Sequence, residues 1–358
     1  MLRRLFGGSG FHSARSVALR ARSHASLQPH FYCPANLRFA YSGSKNVIYL
    51  ERYAKSNLNW LTKLKRNGII YNMDWKKYIE DNIDSLKIIG DSSNKVYELH
   101  YLNRNYILKK CNQLDKNLSI FWQYMKIVFG HNFNDQITNL EKLYEKLTNE
   151  FIPIAKPVYI DSLLKYHVYE KIIGKDYSPD IFLDNNNIHL QLGKYIGYLH
   201  ELEYSDYGTV YFQNKIPFED NIYNFSMKIM KKYFTDRNDI KYYFGIVFHN
   251  NISFNNYALI MPDISANQVV FSNDMDKING VVDLDAYIIG PKELELSIIE
   301  LCIPNNECAK YFKMRYELFN KLPLLKNYRS IFRFVSYLCD LENIEGIEEF
   351  MNKNIYYE

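Results

Sequence analysis

Between Leu86 and Cys111 the chain changes its period. Leu86-Lys87-Ile88-Ile89-Gly90, Lys95–Leu102 and Tyr106–Cys111 are short runs rich in β-branched and aromatic residues. Gly90-Asp91-Ser92-Ser93-Asn94 and Asn103-Arg104-Asn105 punctuate them with turn formers. Runs this short, this closely spaced, pair with their neighbours, so the stretch predicts a three-strand antiparallel meander. The text on either side is mostly helical. Residues 46–85 read as helical segments, with Trp60, Trp75 and Tyr78 at loose helical spacing. Two more helices follow the meander, about Leu118–Phe129 and Gln136–Asn149. In the second, Leu140, Leu143 and Leu147 recur on one face while Glu141, Lys142, Glu145 and Lys146 lie elsewhere on the wheel.

Pro153 and Pro157 flank a further extended run, and Tyr166–Ile173 reads as a strand closed by Gly174. Residues 188–203 form a strong helix candidate. The regions 212–245 and 292–350 are largely helical, with extended runs at 257–262, 268–271 and 280–284. Strands first and helices later predict an α+β chain of two lobes. The expected divisions are a leader over 1–44, a helical extension over 45–83, a first lobe over 84–174 and a second over 175–358.

Composition narrows the function. The chain has 358 residues, 47% of them hydrophobic, enough for a substantial core. Its net charge is only +4 and much of that sits in the leader, so no electrostatic case arises for nucleic acid as the main partner. No stretch approaches the roughly 18 apolar residues of a membrane-spanning helix. Five cysteines (Cys33, Cys111, Cys302, Cys308, Cys339) show no paired spacing, which predicts reduced, buried thiols rather than a zinc site or a disulfide framework.

Residues 1–44 are a different text. They hold six arginines (Arg3, Arg4, Arg15, Arg20, Arg22, Arg38) and no lysine, aspartate or glutamate. An Arg- and Ser-rich, acid-free start is the pattern of a mitochondrial or plastid transit peptide. A basic tail without an address, or an appended leader, would share it.

The segment Leu259–Leu296 carries the chemistry. Asp263 follows an apolar run and Pro262. A polar loop leads into Val269-Val270-Phe271, and after a turn comes Gly280-Val281-Val282-Asp283-Leu284-Asp285, punctuated by Gly290-Pro291. Two acidic positions thus fall at the ends of adjacent short strands. Phosphoryl transfer needs such a pair, one carboxylate to orient a hydroxyl and accept its proton, another to hold Mg²⁺ on the phosphates.

This segment resembles the catalytic and metal-binding loops of the aminoglycoside phosphotransferase and choline kinase-like families. Their pattern is His-x-Asp with an Asn five residues on, then Asp-x-Asp or Ile-Asp-x-x-Asp before Gly-x-Pro. The resemblance implies a two-lobed protein-kinase-like fold, its first lobe an antiparallel sheet plus helix and its second mainly helical. It places Asp263 as the catalytic base and Asp283 as the metal ligand, with Asp285 an auxiliary acid. The family's His position is Met261, and the Asn position is Gln268, whose amide oxygen would serve Mg²⁺; Asn267 lies one residue early.

The first half matches in the same order. Gly90–Tyr97 resembles the family's phosphate-covering turn, with Ser93 and Asn94 against the phosphates. Tyr106-Ile107-Leu108-Lys109 resembles the strand whose lysine meets the α- and β-phosphates; Lys110 points to the opposite face. The lysine's ion-pair partner falls to Glu141 on the following helix, with Glu145 the alternative. Val168–Gly174 resembles the strand and linker where adenine meets backbone, at Glu170 and Ile172. Leu192–His200 resembles the first long helix of the larger lobe, with His200 structural.

Together these imply an ATP- or GTP-dependent, Mg²⁺-requiring phosphotransferase acting on a small-molecule hydroxyl. A kinase-like binding protein without catalysis is the rival, favoured by Met261 and Gln268. The acids Glu293, Glu295, Glu300, Asp340, Glu342 and Glu345 either line a pocket for a cationic acceptor such as an aminoglycoside or amino alcohol, or lie on solvated helix faces.

Overall fold

The computed structural model describes residues 74–91, 94–111, 119–147, 154–155, 157–161, 163, 165–177, 179, 181–249, 252–339 and 346–357. The leader, most of the helical extension, Cys33, Ser93, Asp340, Glu342 and Glu345 lie outside them. Two compact units divide at Ser85/Leu86. Of the earlier unit, the described part is helix α1 (Trp75–Asn82), whose first turn is capped by Asp74 accepting from the Lys77 amide at 3.0 Å, then a 3₁₀ turn Ile83–Ser85.

The later unit contains both lobes. The expected meander is present as β1 (Lys87–Asp91), β2 (Asn94–Tyr101) and β3 (Arg104–Cys111). Leu102 and Asn103 both take positive φ, 46° and 63°, giving β2 and β3 the tight turn whose twist suits a hairpin. Strands β4 (Pro157–Asp161) and β5 (Tyr166–Glu170) complete a five-stranded antiparallel sheet in the order β1-β2-β3-β5-β4.

Two helices separate β3 from β4. Helix α2 (Ile120–Phe129) begins at Ser119, whose hydroxyl accepts from the Trp122 amide, and stops at Gly130 in the left-handed region, φ 68°. Helix α3 (Gln136–Lys146) follows a 3₁₀ turn. Helix α2 leaves its own lobe for its packing. Phe129 meets Phe218 at 5.8 Å and Tyr124 meets Phe225 at 5.0 Å between ring centroids. The Val128 carbonyl accepts from the side-chain amides of Asn214 and Asn221.

The second lobe starts after the linker. Short strand β6 (Lys175–Asp176) pairs with β9 (Val269–Phe271), which also pairs with β10 (Ile278–Val281). Another sheet joins β7 (Glu203–Tyr204), β8 (Tyr257–Ile260) and β11 (Ile288–Pro291). The sequence left β6 and β11 unassigned and carried the helix candidate 188–203 into Glu203, the first residue of β7, because strands of two to four residues carry too little periodicity to register. The helices are α4 (Asn186–His200), α5 (Phe218–Tyr233), α6 (Asn238–Val247), α7 (Lys292–Cys302), α8 (Asn306–Tyr316), α9 (Arg329–Cys339) and α10 (Ile347–Asn352).

Helices α4 and α8 pack so closely that a Cβ on Gly193 would lie 2.3 Å from the Phe312 carbonyl oxygen. The Gly193→Ala variant is therefore expected to lose about 1–3 kcal/mol, read by denaturant unfolding, because a helix backbone cannot retreat as a side chain can. Cys111, Cys302, Cys308 and Cys339 are buried and outside any disulfide among the described residues.

Helix α7 corrects the reading of the C-terminal acids. Glu295 and Glu300 are wholly buried, neither lining a pocket nor facing water. Glu300 accepts both nitrogens of a fork from Arg329, at 2.6 and 2.9 Å, and Arg333 at 2.8 Å. The same carboxylate takes the amides of Tyr356 and Tyr357, each at 2.8 Å, while Arg333 donates to the carbonyls of Met351, Lys353 and Asn354. A helix buried on all sides, as α7 is from Leu294 to Cys302, can carry such acids only when they are paired.

Candidate active site

Strand register brings the lysine inward. Lys109 stands opposite His167 across β3 and β5, while Lys110 points away, its ammonium 5.3 Å from the centroid of the Tyr166 ring. Lys109 is almost fully buried, and its ammonium donates to Asp285 at 2.8 and 3.1 Å and to Asp283. An ammonium removed from water needs counter-charge, and here the Asp283-Leu284-Asp285 turn supplies all of it.

The expected pairing with Glu141 does not form, nor does one with Glu145, which pairs instead with Lys142. Helix α3 directs its Ile137, Leu140 and Leu143 face into the core, and Glu141 lies off that face. What the helix turns inward is amide. Gln136 accepts from the Asn94 side chain at 3.2 Å and from the Cys111 thiol at 3.4 Å. Asn139 donates to the Tyr287 carbonyl at 2.7 Å and accepts from the Val210 amide at 2.9 Å, fixing the helix to the second lobe. Both were missed in the sequence, where Gln and Asn on a helix give no charge signal.

Asn94 opens β2 rather than sitting in the turn, and its buried amide donates to Asp285 at 2.7 Å. It reaches the carboxylate, not open solvent above the strands. Glu170 ends β5 half-exposed in an ion pair with Arg104 at 2.9 Å, and Ile172 lies in the linker beyond it. There Lys171 is tied on both sides, its amide to the Asn105 carbonyl and its ammonium to Glu98 at 2.5 Å.

The two loop acids differ sharply in surroundings. Asp283 adopts the left-handed backbone, φ 65°, with its carboxylate half exposed. Asp285 is buried on the 3₁₀ turn that follows, and its carbonyl accepts from His131. Burial pushes the Asp285 carboxyl up, but Lys109 beside it outweighs this and holds it below the ordinary carboxylate range.

Asp263 follows β8 by three residues. Its Oδ1 is buried with no hydrogen-bond partner among the described residues. Burial, reinforced by the charge of Asp285, pushes its carboxyl up to about 7. The loop before it is held from beneath: the Met261 amide donates to Glu295 at 2.8 Å, whose other oxygen meets His200 at 2.7 Å, and His200 meets Tyr316 at 2.9 Å. His200 is thus structural, as expected, though it sits two bonds from the Asp263 loop.

Gln268 is placed differently from its expected use. Its amide oxygen accepts from both the amide and the hydroxyl of Ser265, at 2.9 and 2.6 Å, closing a capping box around the 3₁₀ turn Ala266–Gln268. That oxygen is spent within the loop and does not face a metal. The Gln268 carbonyl instead takes the Val282 amide at 2.8 Å, setting the strand that ends in Asp283.

A pocket with room for little more than one water is lined by Lys109, Leu140, Tyr144, His167, Tyr169 and Asp285. His167 is buried there, and that burial pushes its imidazole down to about 3, so it is neutral at ordinary pH.

The sequence matches no protein-family model and no curated protein. Solved structures do match. A Ralstonia eutropha protein assigned as an aminoglycoside phosphotransferase aligns at a TM-score of 0.51 and 9% identity, over 74% of this chain and 87% of that one. A spectinomycin phosphotransferase in complex with ADP and spectinomycin aligns at 0.47 and 15%, over 75% and 87%. Choline kinase from Streptococcus pneumoniae aligns at 0.43 and 10%, over 78% and 92%. The chain therefore has the two-lobed, α+β, protein-kinase-like fold. At such identities the shared property is the fold.

Proposed function

We propose that this chain is an ATP-dependent phosphotransferase that moves a γ-phosphoryl group to the hydroxyl of a small molecule. The observation that carries the reading is one turn, Asp283 to Asp285, bound to a buried strand lysine, with a further carboxyl, Asp263, whose buried Oδ1 and nearness to Asp285 together raise its pKa. Fold kinship with small-molecule phosphotransferases supports the same reaction class. Lys109 would meet the α- and β-phosphates, and the linker at Glu170 and Ile172 would face adenine. Asp263, with a pKa near neutrality and an unclaimed oxygen, would orient the acceptor hydroxyl and take its proton.

Mg²⁺ fits this donor set in reduced form. Among the described residues no three of His, Cys, Asp and Glu form a ready metal cage. A kinase-type magnesium needs only one or two carboxylates besides phosphate oxygens and water. Asp283, half exposed at the site's edge, would hold it, and the ion would supply charge neutralisation on the phosphates. Catalysis then rests on positioning and on charges fixed in advance.

The test is binding and turnover with purified protein. Mg·ATP is expected to raise the unfolding midpoint and the Lys109→Met variant to reduce that shift; GTP is run beside it. Absence of any shift with wild type defeats the reading. A second reading, a nucleotide-binding protein that does not transfer phosphate, is favoured by the capture of Gln268 by Ser265. It predicts the shift without product in a metabolite phosphorylation screen.

We also propose mitochondrial delivery by residues 1–44, on their arginine-rich, acid-free composition. That segment fused to a fluorescent protein should co-localise with mitochondria, and loss of this on changing Arg3, Arg4, Arg15 and Arg20 to Glu would support an address; diffuse signal from the unaltered fusion would refute it.

A further inference from the structure

We infer that Asp285 is the positioning residue for the Lys109 ammonium, a task assigned by the sequence to a carboxylate on helix α3, and that Asp283 is the partner Lys109 gives up when nucleotide binds. This rests on the phosphotransferase reading for its phosphate half only.

The first observation is the division of partners. Lys109 is nearly buried and carries three donor protons. Asp285, itself 8% exposed, engages the ammonium through both oxygens, whereas Asp283 is 49% exposed and offers one. Breaking the first contact strands two desolvated charges; breaking the second exchanges one screened contact for another. Asp283 is therefore the labile partner and Asp285 the permanent one.

The second observation is how Asp285 is held. Asn94, at the first position of β2, donates to its Oδ2 at 2.7 Å, and the same amide nitrogen reaches Gln136 on helix α3 at 3.2 Å. His131 grips the backbone carbonyl of Asp285 at 2.8 Å. Asp285 is thereby fixed to the first residue of β2, to the lysine strand, and to the connection between α2 and α3. Helix α3 contributes only a neutral amide, so a small displacement of that helix leaves the ion pair intact. A displacement of residues 283–285 moves lysine anchor and metal-facing acid together.

An alternative use of Asp285, as a ligand to magnesium, would bring a second cation against the Lys109 ammonium that it already holds through both oxygens. The two uses separate by experiment. Calorimetric titration of the full chain with Mg·ATP and with adenosine is made on wild type, Asp285→Asn, Lys109→Met, the double variant and Glu141→Gln. Asp285→Asn is expected to weaken Mg·ATP about tenfold and adenosine less than about twofold, since adenosine has no phosphates for the lysine. The double variant should bind no worse than Lys109→Met alone, and the magnesium concentration needed for half-maximal ATP binding should not change.

Thermal unfolding without nucleotide supplies the second readout. There Lys109→Met and Asp285→Asn should be strongly non-additive, while Lys109→Met and Glu141→Gln add. Additive behaviour of the first pair, a Glu141→Gln loss matching that of Lys109→Met, or a shifted magnesium requirement in Asp285→Asn overturns the inference. If wild type binds no Mg·ATP, the phosphotransferase reading and the phosphate half fall together, and the unfolding cycle still decides which carboxylate holds the lysine.

Discussion

Asp263→Asn is expected to cut phosphoryl transfer by about 10²–10⁴-fold, the usual worth of a general base, while Mg·ATP affinity stays within about threefold. The same substitution should make the protein more stable above neutral pH. The Asp263 carboxyl titrates near 7 when folded and in the ordinary carboxylate range when unfolded, so the folded chain binds the proton more tightly. Stability from that proton is complete below the unfolded value and is lost as pH rises toward 7. Above 7 the wild type keeps a buried charge with one oxygen unpartnered, and the asparagine does not. Melting the two proteins without nucleotide or magnesium should give coincident midpoints near pH 4 and a gap that opens up to pH 7 and then stays level. The gap is on the order of 1–3 kcal/mol, roughly 2–4 °C for each kcal/mol in a chain of this size. A variant that is inactive yet more stable than wild type separates loss of chemistry from loss of fold. Coincident curves at every pH would mean that Asp263 is not held in the desolvated state described.

Glu300→Gln should have the largest effect on stability. One carboxylate is shared between Arg329 and Arg333, and burial already pushes the Arg333 guanidinium down to about 10 despite it. Removing the shared anion leaves two buried cations without a counter-charge, a loss of about 3–5 kcal/mol, or on the order of 10 °C in midpoint. The signature is local as well. The amides of Tyr356 and Tyr357 end on Glu300, so their hydrogen-exchange protection should fall before that of helix α7. Replacing Glu300, Arg329 and Arg333 together by apolar residues of similar volume is expected to recover only part of the loss: it removes the unpaired cations but leaves the Tyr356 and Tyr357 amides and the Met351, Lys353 and Asn354 carbonyls without these partners. An unshifted midpoint in Glu300→Gln would refute the account.

The legible parts of this molecule are those written within a few residues. The meander, helix α4 and the order of Lys109, Asp263 and Asp283 were readable because turn formers and periodicity act locally. Two placements also had local signals that pointed the right way. The leucine face of helix α3 puts Glu141 outside the core, which argues against an inward ion pair. Ser265 and Gln268 stand at capping-box spacing, a sign that the glutamine closes its own turn. The rest was not local. Asn94 meets Asp285 across 191 positions and His200 meets Glu295 across 95, and no pattern in one sequence announces such a pair. Asn139 and Gln136 were invisible for a further reason: neutral amides gain their importance only from what they are buried against.

Helix α2 bears on how the chain comes to be made. Synthesis delivers residues 120–129 long before Phe218 and Phe225, the rings against which Phe129 and Tyr124 finally rest. The sheet and helix α3 surrounding it in sequence can collect on the ribosome, but they do not offer that helix its resting place. Its aromatic side must wait, uncovered, until helix α5 has left the exit tunnel. Slowing translation just beyond residue 200 should lengthen this vulnerable interval and lower the soluble yield, whereas slowing it after about residue 280, when helix α5 is clear of the tunnel, should not.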